Sequence, residues 1–312
     1  MDQRFAIAVD VGGSHITSAA VDLLTGDIIS DTFSDQYVNN QAQAAGIINE
    51  WSSCLRETIG RIPSSGRLEG IGFAMPGPFD YVNGIALFKG VPKYGNLYGF
   101  NIGDAMRSSL ELPEEFKFRF INDASAFAIG EAWKGKAAGS QRSMAVTLGT
   151  GFGSAFIENK IPVVDGPLVP ELGCVWHLPY ENSIADDYFS TRWFIKEYKT
   201  VSGKELTGVK ELAAIAKDDP GAAEIFYRFG RNLGHFLAPW LKRFGAEVLV
   251  TGGNISNAGE LFIETLQQSL AGEHCSARIE MSELKEEAAL LGGAFLFDDD
   301  FWKSVQHALP LM

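Results

Sequence analysis

Apolar residues along this chain follow two spacings, the short runs typical of strands and the 3.6-residue period of helices. The runs Phe5 to Val9 and Ile16 to Val21 flank a glycine turn and predict a β-hairpin. A second hairpin is predicted from the runs at 143–148 and 152–157. The same patterns predict further strands at 28–33, 68–74, 116–121, 248–250 and 277–281, and helical segments at 42–61, 102–110, 124–133, 186–199, 209–217, 222–244, 258–271 and 284–297.

The order of these elements favours mixed sheets with helices on their faces. A helix that returns the chain to a strand beside the first one is a crossover connection, so the antiparallel start becomes part of a mixed sheet. The hairpin also recurs, because Ala8 to Ser14 aligns with Ala145 to Gly151 as a strand followed by a glycine turn. We therefore expect an α/β fold of two related lobes, with a cleft that closes by a hinge motion.

Both glycine turns are candidate phosphate-binding sites. Without a Cβ at Gly12 and Gly13, successive N–H groups can converge on an anion, and the turn from Gly149 to Gly151 has the same property. Asp10 stands beside the first turn, where a carboxylate next to a phosphate needs a divalent cation such as Mg²⁺ between them. Thr147 replaces the acid in the second copy, and its hydroxyl can donate to phosphate. Each turn taken alone also fits an ordinary tight hairpin.

Composition restricts the compartment and the partners of this chain. Its 312 residues, 46% of them hydrophobic, are enough for two cores of ordinary domain size. A net charge of −13 argues against electrostatic nucleic-acid binding. Three widely spaced cysteines form no C-x-x-C pattern, and no apolar run reaches 18 residues. We therefore expect a cytoplasmic protein without a membrane segment or a cysteine zinc site.

Two further stretches are predicted to lie near a ligand. Asn122 and Asp123 follow the strand predicted at 116–121, and ligands collect at the carboxyl ends of strands in open α/β sheets. Asp123 also suits a helix N-cap, a role that aspartate often fills. The loop over 81–100 is rich in glycine and aromatic residues, and it either lines a ligand site or simply caps the fold.

A third glycine motif points to the nucleoside end of a nucleotide. Gly252 and Gly253 directly follow the strand predicted at 248–250, so an adenine or ribose can pack against the backbone there, unless the pair is a simple strand-to-helix turn. The sequence contains no G-x-x-x-x-G-K-[ST], which excludes a Walker-type kinase. The motif from Gly149 to Gly153 is followed by a strand where a dinucleotide fold requires a helix, which excludes that fold.

Taken in order, these stretches resemble the ROK family of sugar kinases, within the actin-like ATPase and hexokinase superfamily. The resemblance spans about residues 5–255 and implies two actin-like, ribonuclease H-like lobes with mixed β-sheets and an ATP cleft between them. The matching residues are Asp10-Val11-Gly12-Gly13-Ser14, Pro76-Gly77-Pro78, Asn122-Asp123-Ala124 with Gly130-Glu131, Leu148-Gly149-Thr150-Gly151-Phe152-Gly153, Glu171-Leu172-Gly173 and Thr251-Gly252-Gly253.

The resemblance also implies a role for each matching residue. Asp123 is expected to be the general base that takes the proton from the attacking sugar hydroxyl, and Asp10 is expected to hold Mg²⁺ directly or through water. The expected substrate-binding residues are Gly77, Asn122, Asp123, Glu171 and Asp186. The expected ATP-binding residues are Asp10, Gly12, Gly13, Ser14, His15, Thr147, Gly149, Thr150, Gly151, Gly252, Gly253 and Asn254.

These roles imply an ATP-dependent hexose kinase acting on the 6-hydroxyl of glucose or a related hexose. The alternatives are a kinase for an N-acetylhexosamine or fructose, another phosphotransferase of the superfamily, and a non-catalytic sugar-binding regulator. Regulators of this family carry a DNA-binding module in front of the kinase fold. Here the first predicted strand begins at about residue 4, so we expect no room for one.

This chain departs from the family pattern at a sugar-binding position and at the zinc-binding cysteines. Family members commonly carry a histidine three residues after the glutamate and then a cysteine zinc cluster. Here Cys174 occupies the histidine position and no cysteine cluster follows, so no zinc is expected. Spacing leaves open whether His177 replaces that histidine. Asp186 stands where the family has a sugar-binding glutamate, and its shorter side chain indicates a pocket for a different epimer or a substituted C2.

The resemblance also gives an expected domain division and assembly. Residues 1–122 are expected to form a small N-terminal lobe, joined by a C-terminal helix at about 298–312. Residues 123–297 are expected to form the large C-terminal lobe. The implied partners are a hexose, ATP and a second copy of the chain in a homodimer, with no nucleic acid and no membrane.

Overall fold

The computed structural model describes residues 3–64, 66–91 and 93–312. In this part of the chain the strands are β1 (Gln3–Val11), β2 (His15–Asp22), β3 (Asp27–Ile28), β4 (Ser34–Tyr37), β5 (Gly66–Met75), β6 (Phe79–Asp80), β7 (Ile85–Ala86), β8 (Phe118–Asn122), β9 (Arg142–Leu148), β10 (Phe152–Glu158), β11 (Ile161–Pro162), β12 (Pro179–Tyr180), β13 (Ser183–Ile184), β14 (Val248–Gly252) and β15 (Arg278–Met281).

The helices alternate with these strands, as the sequence predicts for an α/β fold. They are α1 (Ala44–Gly60), α2 (Ile102–Ser109), α3 (Asp123–Lys134), α4 (Ala185–Tyr188), α5 (Thr191–Ser202), α6 (Val209–Ile215), α7 (Pro220–Phe244), α8 (Ile263–Gly272), α9 (Glu287–Phe295) and α10 (Asp299–Val305). The described residues contain no helix with both the length and the apolar character needed to cross a membrane.

The chain forms two compact units, unit 1 with residues 1–134 and 286–312 and unit 2 with residues 135–285. These limits differ from the expected boundaries after residues 122 and 297. The reason lies in α3 and α9, which pack so closely that a Cβ at Gly130 would overlap the carbonyl oxygen of Ala288. A Cβ at Gly292 would likewise overlap the backbone of Ala126, so these small residues hold both helices in unit 1.

Unit 1 is built on a six-stranded mixed sheet in the order β3-β2-β1-β5-β8, with β4 also paired to β2. β1 and β2 are antiparallel and β1, β5 and β8 are parallel, so the predicted hairpin and crossover are both present. β1 is buried from Phe5 to Val9, which explains its unbroken apolar run. The carboxyl ends of β1, β5 and β8 meet at one edge, since Asp10 pairs with Ala74 and Met75 pairs with Asn122.

Unit 2 repeats this arrangement with a five-stranded sheet in the order β11-β10-β9-β14-β15. β9 and β10 form the antiparallel hairpin, and β14 and β15 continue from β9 in parallel. The 25-residue helix α7 begins at the N-cap Asp219, whose side chain accepts from the amides of Gly221 and Ala222. It ends at Gly245, which has a φ of 70° and is the C-cap that the sequence predicts.

Three predicted elements differ in the structure. The strand expected at 28–33 stops at Ile28, because the Thr32 hydroxyl accepts from the amide of Ala20 and donates to the carbonyl of Ile29, folding the chain into a 3-10 turn. The segment 186–199 forms two helices, α4 and α5, because Thr191 is held by the carbonyl of Gly149. The helix expected at 258–271 is broken at the buried Phe262, with a 3-10 helix before it and α8 after it.

Candidate active site

The first glycine turn of unit 1 closes between β1 and β2. The amide of Gly12 donates to the carbonyl of His15 at 2.9 Å. The Tyr94 hydroxyl donates to the carbonyl of Gly12 at 2.7 Å, and Asn40 Nδ2 donates to the carbonyl of Gly13. Because the C=O and N–H of one peptide point in opposite directions, the amides of Gly13 and Ser14 face away from these partners. Those two amides are therefore directed to donate to an anion.

Asp10 lies half-buried in β1, one residue before the last of the strand. Burial, together with the carboxylates of Asp123 and Glu286, raises the pKa of Asp10 to about 7. Three neighbouring acids form a donor set that suits Mg²⁺, which takes one or two carboxylates together with phosphate oxygens. The described residues hold no cage of three or more metal-binding side chains, and a magnesium ion shared with phosphate requires none.

Asn122 and Asp123 follow β8 at the same edge of the sheet, where α3 begins. Asn122 Oδ1 accepts from the amide of Ser125 at 3.1 Å, so Asn122 is the N-cap of α3. Asp123 Oδ1 accepts from its neighbour Ala124 at 2.8 Å and from Asn122 Nδ2 at 3.0 Å. Burial is the main cause that raises the pKa of Asp123, and these hydrogen bonds and the Lys93 ammonium act against it. A carboxyl group with these properties suits a general base.

Gly77 lies just beyond β5, between Asp10 and Asp123 in the strand order. The neighbouring Tyr81 hydroxyl donates to the carbonyl of Met75 at 3.1 Å and lies 3.3 Å from Asn122 Nδ2. These bonds join the chain after β5 to the end of β8. Gly77 and Asn122, both predicted to bind substrate, are therefore brought to the same edge of unit 1 as Asp123.

The second glycine turn joins β9 to β10 in unit 2 and accepts hydrogen bonds from the first residues of α5. The amide of Gly149 donates to the carbonyl of Gly151 at 3.0 Å. Both the amide and the hydroxyl of Thr191 donate to the carbonyl of Gly149, at 2.8 and 2.9 Å. Arg192 Nη1 donates to the carbonyl of Thr150 at 3.2 Å. Nothing in the local sequence marks Thr191 or Arg192 as neighbours of this turn.

The third glycine motif lies at the end of β14, beside the second turn. Gly252 pairs with Thr147 of β9, so both motifs meet at one edge of the unit 2 sheet. Gly253 has a φ of 82°, and a Cβ there would lie 2.5 Å from the carbonyl oxygen of Leu148. Asn254 follows as the first residue of a 3-10 helix. The structure thus brings together the ATP-binding residues predicted in this unit.

The candidate sugar segment of unit 2 contains Glu171 and Asp186. Glu171 is exposed on a 3-10 turn, and its carboxylate is accessible to a ligand. Asp186 is turned to the second glycine turn, since its Oδ1 accepts from the amide of Phe152 at 2.7 Å. Burial raises the pKa of the Cys174 thiol to about 11, and the His177 Nδ1 atom lies 3.7 Å from its sulfur. His177 therefore contacts the residue that occupies the family's histidine position.

Two mixed sheets, each opening with a hairpin that carries a glycine turn, define an α/β protein of the actin-like fold class. The chain belongs to the ROK family, whose family model matches residues 6–300.

Similar proteins share nearly the full length of the chain. A glucokinase from Thermotoga maritima is 26% identical over 332 residues, which cover 94% of this chain and 97% of the relative. An N-acetyl-D-glucosamine kinase from Aliivibrio fischeri is 25% identical over 315 residues, covering 92% and 97%. The crystal structure of a ROK family glucokinase from Streptomyces griseus in complex with glucose and AMPPNP matches with a TM-score of 0.73 at 22% identity, covering 94% of this chain and 98% of that one.

Proposed function

We propose that this chain is an ATP-dependent sugar kinase that transfers the γ-phosphoryl group of ATP to a hexose hydroxyl. The observation that carries the proposal is the state of Asp123. Its pKa is raised, it lies at the sheet edge that holds the first glycine turn, and the N-cap role is filled by Asn122 instead. Burying a carboxyl group is costly, and a role as proton acceptor would account for that cost at this position.

In the proposed reaction the sugar hydroxyl oxygen attacks the γ-phosphorus of ATP. The bond from that phosphorus to the β–γ bridging oxygen breaks, ADP leaves with the electron pair, and Asp123 accepts the hydroxyl proton. Such transfer depends mainly on alignment and charge neutralisation, and the base adds about 10²–10⁴-fold. We assign Asp10 as the residue that holds Mg²⁺, directly or through water, and the ion supplies charge neutralisation when bound.

The other residues are assigned by their positions in the two units. In unit 1 the amides of Gly13 and Ser14 are proposed to bind phosphate, and Gly77 and Asn122 to contact the sugar. In unit 2, Glu171 is proposed to hold further sugar hydroxyls. The remaining proposed ATP ligands are Gly12 and His15 in unit 1, and Thr147, Gly149, Thr150, Gly151, Gly252, Gly253 and Asn254 in unit 2.

The proposed substrate is glucose or a related hexose, phosphorylated at the 6-hydroxyl. Relatives named glucokinase and N-acetyl-D-glucosamine kinase support a hexose with or without a C2 substituent. The proposal also includes a homodimer and a cytoplasmic location, which the family resemblance implies. A non-catalytic sugar-binding protein is the alternative that the following experiment separates.

The test measures ADP release with MgATP against glucose, mannose, fructose, N-acetylglucosamine and N-acetylmannosamine. The native chain is compared with Asp123→Asn and with Asp31→Asn, an exposed aspartate of the same unit. We expect turnover with one or more of these sugars that falls by about 10²–10⁴-fold in Asp123→Asn and is unchanged in Asp31→Asn. Sugar binding without turnover in the native chain would instead establish the non-catalytic alternative.

A further inference from the structure

Lys93 lies directly over the first glycine turn. A Cβ added at Gly13 would overlap the Lys93 ammonium nitrogen and would lie 2.8 Å from its Cε atom. The side chain therefore crosses the face of the turn that glycine leaves open. The ammonium group is also near enough to Asp123 to lower the pKa of that carboxyl group, against the larger effect of burial.

The backbone beside Lys93 is fixed to the same turn. Tyr94 is buried, its amide donates to the carbonyl of Asn40 at 3.0 Å, and its hydroxyl donates to the carbonyl of Gly12. Asn40 in turn donates to the carbonyl of Gly13. The Tyr94 ring packs edge-on against Trp51 with 5.4 Å between centroids. The position of Lys93 thus follows from a buried anchor one residue away.

The Lys93 ammonium has no fixed partner among the residues that the structure describes. Within the described residues it forms no ion pair within 4.0 Å and no hydrogen bond, although Lys93 as a residue is half-buried. The nearby acids Asp10 and Asp123 are half-buried as well, and both have raised pKa values. A lysine serving only as a counter-ion would be expected to pair with one of these carboxylates, whereas this one lies over an anion-binding turn.

A neighbouring lysine of the same loop shows the contrast. Lys89 is exposed, and its ammonium lies over the Tyr98 ring at 5.7 Å from the centroid. It therefore has an ordinary surface role and provides a matched control. Of these two lysines, Lys93 is the one that is half-buried and lies against the glycine turn.

We propose that Lys93 is a further catalytic residue, whose ammonium group contacts the γ-phosphoryl group of ATP above the turn at Gly13. This inference rests on the proposed kinase function. During transfer, negative charge lies on the three outer oxygens of the phosphoryl group and grows on the departing bridging oxygen. A fixed cation there stabilises the transition state without having to reorganise. Lys93 keeps its proton throughout, and the hydroxyl proton goes to Asp123.

The test compares Lys93→Met with Lys93→Arg and with the control Lys89→Met. We expect Lys93→Met to lower kcat by about 10²–10³-fold, Lys93→Arg to recover part of it, and Lys89→Met to match the native chain. Calorimetric titration provides an independent measurement without turnover. Lys93→Met is expected to weaken binding of Mg-AMPPNP, which carries a γ-phosphoryl group, more than binding of MgADP, which does not.

Three outcomes would overturn the assignment. They are a native kcat in Lys93→Met, an equal loss of affinity for AMPPNP and ADP, and a rise in the sugar KM alone. If Lys93→Met does not fold, as judged by circular dichroism, Lys93→Gln provides the neutral variant for the same comparison. Failure of the kinase function is distinguishable, because the native chain itself would then show no sugar-dependent turnover.

Discussion

Asp186 and Arg192 form an ion pair in which 2.5 Å separate the carboxylate Oδ2 and guanidinium Nη2 atoms. The second carboxylate oxygen accepts from the amide of Phe152, and Arg192 also donates to the carbonyl of Thr150. The pair therefore braces the second glycine turn on both sides of Gly151. The residue that stands in the position of a sugar-binding glutamate is tied here to the proposed phosphate turn.

We predict that Asp186→Asn raises the KM for ATP by about tenfold and changes the KM for the sugar by much less. Asparagine removes the negative charge that pairs with Arg192, so the hydrogen bond that supports the turn loses its charge assistance, worth about 1.5 kcal/mol. Steady-state kinetics with each substrate varied in turn measures both constants. Asp187→Asn is the control, since Asp187 neighbours Arg192 at 3.5 Å but makes no contact with the turn. An effect on the sugar KM alone would instead support the expected sugar-binding role of Asp186.

Substitutions at the neighbouring residues Asn122 and Asp123 are expected to have separate effects, on the stability of the fold and on turnover respectively. Asn122→Ala removes the N-cap of α3 and should lower the free energy of unfolding by about 1 kcal/mol. Asp123→Asn removes a carboxylate whose ionised form is disfavoured by burial, so stability should stay the same or rise while turnover collapses. Urea denaturation of both variants beside the kinetic assay measures the two effects. A large loss of stability in Asp123→Asn would show that the carboxylate is structural.

Gly253 is expected to tolerate no side chain. Gly253→Ala puts a side chain on a backbone with φ of 82° and ψ of 172°, a region essentially restricted to glycine, and its Cβ would lie only 2.5 Å from the carbonyl oxygen of Leu148, so it should cost about 3 kcal/mol. Gly203→Ala is the control for positive φ without a close contact, because Gly203 is in the left-handed helical region, with a φ of 70°, and has no atom within 4 Å of its Cβ position. Strain alone should then cost about 1 kcal/mol. Equal midpoints of urea denaturation in the two variants would show that the contact with the Leu148 carbonyl oxygen adds no cost.

Asp80 lies in the loop region that precedes Lys93, and it should make the stability of the fold depend on pH. Hydrogen bonds from the Asn83 side chain and from backbone amides lower the pKa of Asp80 in the folded chain. The ionised carboxylate therefore stabilises the fold above the unfolded pKa of about 3.9, and this contribution is lost as the pH falls through the folded value.

The expected result for Asp80→Asn is a lower urea midpoint at pH 7 and a difference from the native chain that shrinks below about pH 4. Asp31→Asn, at an exposed position, controls for the change in net charge. A difference that stayed constant across the acid range would show that the charge of Asp80 contributes nothing.

Local sequence predicts the elements that carry the candidate site with few errors. The two hairpins, the strand before Asn122 and the turn at Gly252 and Gly253 lie where the apolar runs and glycines place them. The failed prediction at 28–33 depends on the Thr32 hydroxyl, which replaces strand pairing by a bond to the amide of Ala20. Apolar spacing carries no information about such a bond.

The sequence by itself determined the α/β class, the duplicated glycine turns and the ROK family, because these depend on residue type and order. Tertiary structure alone decided which residues surround each turn. Lys93 lies 80 positions from Gly13, and Arg192 lies 42 positions from Thr150. It also decided that α3 and α9 belong to one unit, since glycines at 130 and 292 allow their backbones to meet. Such contacts are set by long-range packing, which local periodicity and spacing do not encode.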